Sequence, residues 1–190
     1  MLNKSEFAKI RKEMSDLDDQ REKIIQKSRD LIMTSKKIIY AVHRDDLKSA
    51  EKAMGEIEKQ KKELDHIDTN LDTNINKVAF QEYAEAACFY HFVKTGKIPT
   101  KTELKLSGED YLLGLCDLTG ELMRKAVNAV IRKNYKEAEK IKDIVDDIYG
   151  EFLQFNLRNG ELRKKSDQIK WNLKKLEDVV FELKLKDKLE

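Results

Sequence analysis

A long stretch near the start of the chain, from Ser5 to Arg44, contains neither glycine nor proline. Its apolar residues recur at spacings of three and four, beginning with Phe7, Ile10 and Met14. This period places the apolar side chains along one face of an α-helix. The stretch therefore predicts a single, very long amphipathic helix, which favours an all-α fold.

The rest of the chain continues the helical pattern. It contains one proline and seven glycines in 190 residues, which is too few for a sheet protein with many turns. Gly96 is a predicted C-cap, Ser107 a predicted N-cap, and the last helix is expected to turn Trp171 inward. We predict one domain over residues 1–190, a bundle of six to seven mostly long antiparallel helices. The later helices are expected at about Asp46–Leu71, Asp72–Thr95, Ser107–Lys133, Asn134–Phe155 and Leu162–Lys186, with a short capping-box turn at Thr100–Glu103.

Composition limits the cellular context more than the function. The formal net charge is only +2, so local patches must identify any charged partner. Cys88 and Cys116 both lie in apolar runs and are expected to be buried, reduced thiols. Together with the charged start of the chain, this favours a cytoplasmic protein. No apolar run reaches the ~18 residues of a membrane span, so no membrane partner is expected.

Two apolar stretches contain acids but no lysine or arginine, in a chain that is 39% charged. The first extends from Val78 to Val93 and the second from Leu106 to Met123. Acids in such stretches lack a nearby cation with which to pair. They are Glu82 and Glu85 in the first stretch, and Glu109, Asp110, Asp117 and Glu121 in the second.

Helical spacing brings these acids onto shared faces. Residues three or four apart are neighbours on a helix, as Glu82 and Glu85 are, and as Asp117 and Glu121 are, with Asp110 two turns before Asp117. If the two helices pack together, four or five carboxylates converge in an apolar setting. Like charges so close cannot all ionise unaided, and a divalent cation resolves the conflict. Oxygen ligands suit Mg²⁺, Mn²⁺ or Ca²⁺ rather than zinc, and favour metal-assisted phosphodiester hydrolysis.

Two simpler interpretations of these acids stay open. They could be surface residues of ordinary amphipathic helices. A di-iron bundle is another option, but it requires two Glu-x-x-His motifs, and the one match is Glu63 to His66.

The first helix also contains a basic stripe, with no acid between Asp30 and Asp45. Such a stripe suits a phosphate backbone, and Tyr40 could stack on a base, although a solvated face is the simpler alternative. His91 could contact phosphate or relay a proton, or could be a core histidine. The candidate nucleic-acid contacts are Arg21, Arg29, Lys36, Lys37, His43, Arg44, His91 and Arg124.

Several motifs resemble one known family. Two of them are Phe80–Ala86 and Val42–Arg44, and the most specific are Asp110–Gly114 and Asp117–Arg124. With these motifs the sequence resembles the translin family, and within it the Trax (translin-associated factor X) branch. The short Gly96–Leu106 connection resembles a minimal archaeal or prokaryotic form, because eukaryotic Trax has a long insertion there.

The resemblance implies a fold, an assembly and an activity. Translin-like proteins are all-α and form octameric shells around nucleic acid, and Trax subunits are Mg²⁺-dependent endoribonucleases acting on single-stranded RNA. We therefore expect a homo-octamer that cleaves single-stranded RNA with Mg²⁺ or Mn²⁺, with or without a translin-like partner subunit. The alternatives are a non-catalytic protein that binds single-stranded RNA or DNA, and a structural protein that assembles through its first helix. The catalytic and metal-binding residues implied by the resemblance are Glu82, Glu85, Asp117 and Glu121.

Overall fold

The computed structural model describes residues 2–67 and 74–186, and these residues form seven α-helices and no strand. The prediction of an all-α fold is confirmed. The helices are α1 (Lys4–His43), α2 (Leu47–Asp65), α3 (Ile75–Thr95), α4 (Lys101–Leu104), α5 (Gly108–Ile131), α6 (Tyr135–Phe152) and α7 (Glu161–Leu185).

Local capping explains where several helices begin and end. Thr100 and Glu103 form the predicted capping box of α4. The backbone N–H of Asp110 donates to the Ser107 hydroxyl at 3.0 Å, which caps α5. Gly96 ends α3 at a φ of 75°, a left-handed conformation that glycine adopts without strain. These three predictions from the sequence are confirmed.

The cap expected at Asn134 and the predicted end of the second helix differ from the structure. Asn134 precedes α6 as expected but makes no capping hydrogen bond to the backbone, because its amide donates to Glu137 at 2.6 Å instead. Helix α2 ends at Asp65, whereas the prediction extended it to Leu71. Residues 68–71 of that extension, and the predicted start of the third helix at Asp72, lie outside the described residues.

Helix α3 lies at the centre of the arrangement because it packs against α1, α2 and α5. Helix α5 in turn packs against α6 and α7, which also contact each other. Being covered on several sides explains why α3 contains so few cations: residues such as Ala84, Ala87 and Phe89 are fully buried. Both cysteines are buried free thiols in this core, as predicted.

Helices α3 and α5 pack unusually close together. Gly114 of α5 lies against Ala84, and a β-carbon at position 114 would be 2.4 Å from the β-carbon of Ala84 and 2.9 Å from the Gln81 carbonyl oxygen. One turn further along α5, Asp117 interacts electrostatically with both Glu85 and Glu82. The predicted adjacency of the two acidic helices is confirmed, and Gly114 makes it possible.

The first half of α1 and one aromatic residue of α7 are more exposed than expected. Phe7, Ile10, Met14 and Leu17 lie on the predicted apolar stripe, yet each is at least 42% exposed, and burial begins only at Ile24. Trp171 was predicted to point inward and is 61% exposed, so that prediction was wrong.

Among the described residues, none of the helices combines the length and apolarity that a membrane crossing requires.

Candidate functional site

Three acids from α3 and α5 line one pocket at the surface of the bundle. Glu82, Glu85 and Glu121 surround a volume of about 360 Å³. Helix α1 forms the opposite wall. The other lining residues are Lys36, Ile39, Tyr40 and Arg124. The pocket therefore combines carboxylates, two cations and an aromatic ring, which we call the acidic pocket.

Glu85 is the most perturbed acid of this pocket. Glu85 is only 9% exposed. Burial, together with the negative charges of Asp117, Glu82 and Glu121, raises the pKa of its carboxyl group to about 8. It forms no hydrogen bond or ion pair with another described residue. At neutral pH the metal-free protein therefore keeps Glu85 largely protonated.

Glu82 has the same character to a lesser degree. Burial raises the pKa of its carboxyl group, and the charges of Asp117 and Glu121 raise it further. Lys36 and Lys165 act in the opposite direction. Among the described residues, Glu82 also lacks a hydrogen bond or ion pair, so the two acids of α3 are the members of the cluster without a direct partner.

The two acids of α5, in contrast, have direct partners. Asp117 accepts a 2.6 Å hydrogen bond from the ammonium group of Lys165 on α7. Glu121 accepts a hydrogen bond from Nε2 of His43 on α1 through its Oε2 atom, and NH1 of Arg124 lies 3.6 Å from the same oxygen. The hydrogen bond from His43 is the main reason that the pKa of Glu121 lies below its usual value.

His43 is placed behind the acidic pocket, not on the basic face where it was predicted to contact nucleic acid. Its side chain is 5% exposed, and its ring centroid lies 4.9 Å from that of Phe89. The Nδ1 atom is buried without a hydrogen-bond partner among the described residues. A ring so enclosed is not positioned to contact RNA, so we correct the predicted role of this residue.

The predicted basic face does form a continuous surface on α1. Arg29, Lys36 and Lys37 line an open groove of about 510 Å³ together with Ile32, Met33 and Tyr40. Arg44 lies over the Tyr40 ring at 5.4 Å and donates to its hydroxyl at 2.9 Å. We call this surface the basic groove. Lys36 and Tyr40 belong both to it and to the acidic pocket, so the two sites are continuous.

Several predicted site residues lie elsewhere. Arg21 is in the exposed first half of α1, and His91 lines a different pocket with Lys61 and Pro99. Asp110, which the sequence placed on the acidic stripe, accepts a 2.6 Å hydrogen bond from the Ser107 hydroxyl at the start of α5. Glu63, from the di-iron alternative, pairs with Lys27. None of these residues lines the acidic pocket.

The chemical type of the acidic side chains suits a divalent cation. Their donors are carboxylate oxygens, as Mg²⁺ and Mn²⁺ prefer, and burial together with their mutual repulsion raises the pKa of Glu85 and Glu82. Their side-chain positions do not form a coordination sphere. Within residues 2–67 and 74–186, no three Asp, Glu, His or Cys side chains are arranged to bind a metal ion. Asp117 and Glu121 are instead directed to Lys165 and His43.

Reasoning from the sequence missed Lys165. It follows Lys164 in a helix with many lysines, and no local pattern distinguishes it. The role of His43 had a weak signal, because Lys36, Tyr40 and His43 share one face of α1 at spacings of four and three. That face was assigned to nucleic acid as a whole, whereas its last member contacts Glu121.

The family model for translin matches residues 19–187, and the chain belongs to the translin family. The predicted resemblance is confirmed. The chain is 27% identical over 225 aligned positions to translin-associated protein X of Mus musculus, covering 95% of this chain and 78% of that protein.

Solved structures share the whole fold. The crystal structure of apo-NeC3PO superposes with a TM-score of 0.88 at 29% identity, covering 95% of this chain and 97% of that one. A structure of AfC3PO in complex with duplex RNA also has a TM-score of 0.88, at 21% identity, covering 97% of this chain and 100% of that one. The second likeness shows the shared fold.

Proposed function

We propose that this protein is an endoribonuclease that hydrolyses single-stranded RNA with Mg²⁺ or Mn²⁺ bound in the acidic pocket. One observation supports this most strongly. Glu85 is buried and Glu82 is half-buried, neither forms an ion pair with a described residue, and both interact with two further acids of α5, Asp117 and Glu121. Such a cluster is costly in the metal-free protein and is relieved by a divalent cation.

Glu82, Glu85, Asp117 and Glu121 would bind the cation. When bound, it would activate a water molecule and stabilise negative charge on the scissile phosphate. The chain's own residues have separate tasks. The ammonium of Lys36 and the guanidinium of Arg124 line the same pocket and are placed to bind phosphate oxygens beside the acids.

The basic groove would bind the RNA strand that leads to the acidic pocket. Arg29 and Lys37 are exposed cations for the phosphate backbone, and Tyr40, which is 59% exposed, offers a ring for a base. The AfC3PO complex with duplex RNA supports an RNA ligand for this fold. We further propose that the chain acts as a homo-octamer in the cytoplasm, as the resemblance to translin implies, with or without a translin-like partner subunit.

The test is an incubation of labelled single-stranded RNA with the purified protein, with and without Mn²⁺, followed by both a gel shift and a cleavage gel. We expect binding in both conditions and cleavage only with the metal. Glu85→Ala and Asp117→Ala should each abolish cleavage while the oligomer stays intact by size-exclusion chromatography.

Glu177→Gln is the matched control, because Glu177 is an exposed acid of α7 with no ion pair among the described residues. It should cleave like the wild type. Full activity of Glu85→Ala, or cleavage in excess chelator, would contradict the proposal. Binding without cleavage under every metal condition would instead favour a non-catalytic protein that binds single-stranded RNA or DNA.

A further inference from the structure

The partner of Glu121 differs from the other cations around the acidic pocket. Lys36, Arg124 and Lys165 are all flexible side chains that reach water. His43 is enclosed, with 5% of its side chain exposed, and it reaches Glu121 from α1 across 78 residues of sequence. A rigid, buried donor can fix the orientation of a carboxylate in a way that a mobile lysine cannot.

Two contacts determine the orientation of the His43 ring. The ring is tilted by 49° against Phe89 at a centroid distance of 4.9 Å. Its Nε2 atom makes the hydrogen bond to Glu121. A carboxylate oxygen accepts, so Nε2 must be the protonated nitrogen that donates. Packing on one side and a hydrogen bond at the tip leave the ring little freedom to rotate.

The contact also makes the two oxygens of Glu121 unequal. His43 and Arg124 both approach Oε2, whereas Oε1 has no partner among the described residues. A carboxylate bound on one oxygen in this way presents the other oxygen as a single ligand. Ligating carboxylates are commonly held by such outer hydrogen bonds, which set their orientation.

We propose that His43 is a positioning residue that orients Glu121, so that Oε1 is available as a ligand of the divalent cation. The inference rests on the proposed function, because it assumes that a cation binds in the acidic pocket. It assigns His43 to the cation site and separates it from the RNA-binding residues of the basic groove.

The experiment compares His43→Leu, which removes the donor, with His43→Gln, whose amide nitrogen can replace it. Mn²⁺ affinity of the metal-free protein is measured by electron paramagnetic resonance of the free ion. We expect His43→Leu to weaken binding about tenfold or more and His43→Gln to stay within about threefold of wild type. RNA affinity in chelator should be unchanged in both. His91→Leu is the matched control, since His91 lies in another pocket.

A double-mutant cycle with Glu121→Ala tests whether His43 acts through Glu121. In the Glu121→Ala background, His43→Leu should have no further effect on Mn²⁺ affinity. Additive losses, equal losses in His43→Gln and His43→Leu, or wild-type Mn²⁺ affinity in His43→Leu would each overturn the inference. Circular dichroism confirms that each variant is folded before its affinity is compared. If the wild type itself binds no Mn²⁺, the proposed function fails and this inference fails with it.

Discussion

Lys165 of α7 and Asp117 of α5 form an ion pair in which Nζ lies 2.6 Å from Oδ2. Lys165 also acts against the rise in the pKa of Glu82 and of Glu85. Helix α7 thus supplies positive charge to an acidic site that α3 and α5 form. Because its ammonium group lies beside a carboxylate of the proposed metal site, it would compete there with a divalent cation.

Removing this competing charge should tighten cation binding. Lys165→Gln leaves Asp117 free and increases the negative charge of the pocket. We expect Mn²⁺ affinity to rise by about 1 kcal/mol, or roughly fivefold, as for one partly solvated charge pair. Isothermal titration calorimetry at a pH above 8 measures this, because the acids are then ionised.

Lys164→Gln is the control for that measurement, since Lys164 is the exposed neighbour of Lys165 without an ion pair among the described residues. It should leave the affinity unchanged. Weaker Mn²⁺ binding in Lys165→Gln would contradict the prediction and would mean that Lys165 orients Asp117 more than it competes with the metal.

The stability of the metal-free protein should fall as pH rises. The pKa of Glu85 is raised from 4.5 to about 8 in the folded protein. Between these values the folded state binds a proton that the unfolded state has lost, so raising the pH through this window favours unfolding. Thermal denaturation in chelator from pH 5 to pH 8 should show a decreasing melting temperature.

Glu85→Gln removes the titrating group and should flatten that profile, whereas Glu177→Gln should leave it as in the wild type. Saturating Mn²⁺ should also flatten or reverse it, because the cation replaces the proton at the acids. An unchanged slope in Glu85→Gln would show that another group is responsible.

The sequence alone predicted the helical fold and the packing of the two acidic stretches against each other. Capping residues such as Ser107 act on their own backbone, so their effect can be recognised locally. The shortage of cations around Glu82 and Glu85 also has a direct physical cause, since α3 is enclosed by neighbouring helices. Features of this kind depend on nearby residues or on burial, and both leave a pattern in the sequence.

The partners of the acids had no comparable pattern. The contacts His43–Glu121 and Asp117–Lys165 join residues 78 and 48 positions apart, and depend on which faces of α1 and α7 meet α5. Periodicity identified the apolar stripe of α1 from Phe7 to Leu17, but it could not show that this stripe is exposed in the structure. The prediction that Trp171 points inward was wrong for the same reason. Helical periodicity shows which residues share a face, but it does not show whether another helix packs against that face.

The close contact at Gly114 should be essential to the site. Gly114→Ala would bring a β-carbon within 2.4 Å of Ala84 and 2.9 Å of a backbone oxygen, so α3 and α5 must separate. We expect a loss of about 1–3 kcal/mol in the free energy of unfolding and a large loss of Mn²⁺ affinity. Urea denaturation and calorimetry measure the two effects.

Gly55→Ala provides the contrast for Gly114→Ala, because Gly55 lies within α2 and a β-carbon there would have no atom within 4 Å. Alanine is the better helix former, so this variant should be more stable by about 0.5–1 kcal/mol. Equal stability of Gly114→Ala and wild type would show that the two helices can adjust without cost.

Two lysine variants should distinguish the contribution of the basic groove to RNA binding from that of the acidic pocket to cleavage. Lys37 lines only the groove, so Lys37→Gln should weaken RNA binding alone and reduce the slope of log affinity against log salt by about 0.7 for a single strand. Lys36 lines both sites and lowers the pKa of Glu82, so Lys36→Gln should have the same salt effect and also slow cleavage at saturating RNA.

Lys12→Gln, in the exposed first half of α1, is the control for both lysine variants. Fluorescence anisotropy from 50 to 200 mM salt and single-turnover cleavage measure the two effects. An unchanged salt slope in both variants would show that RNA does not follow this groove.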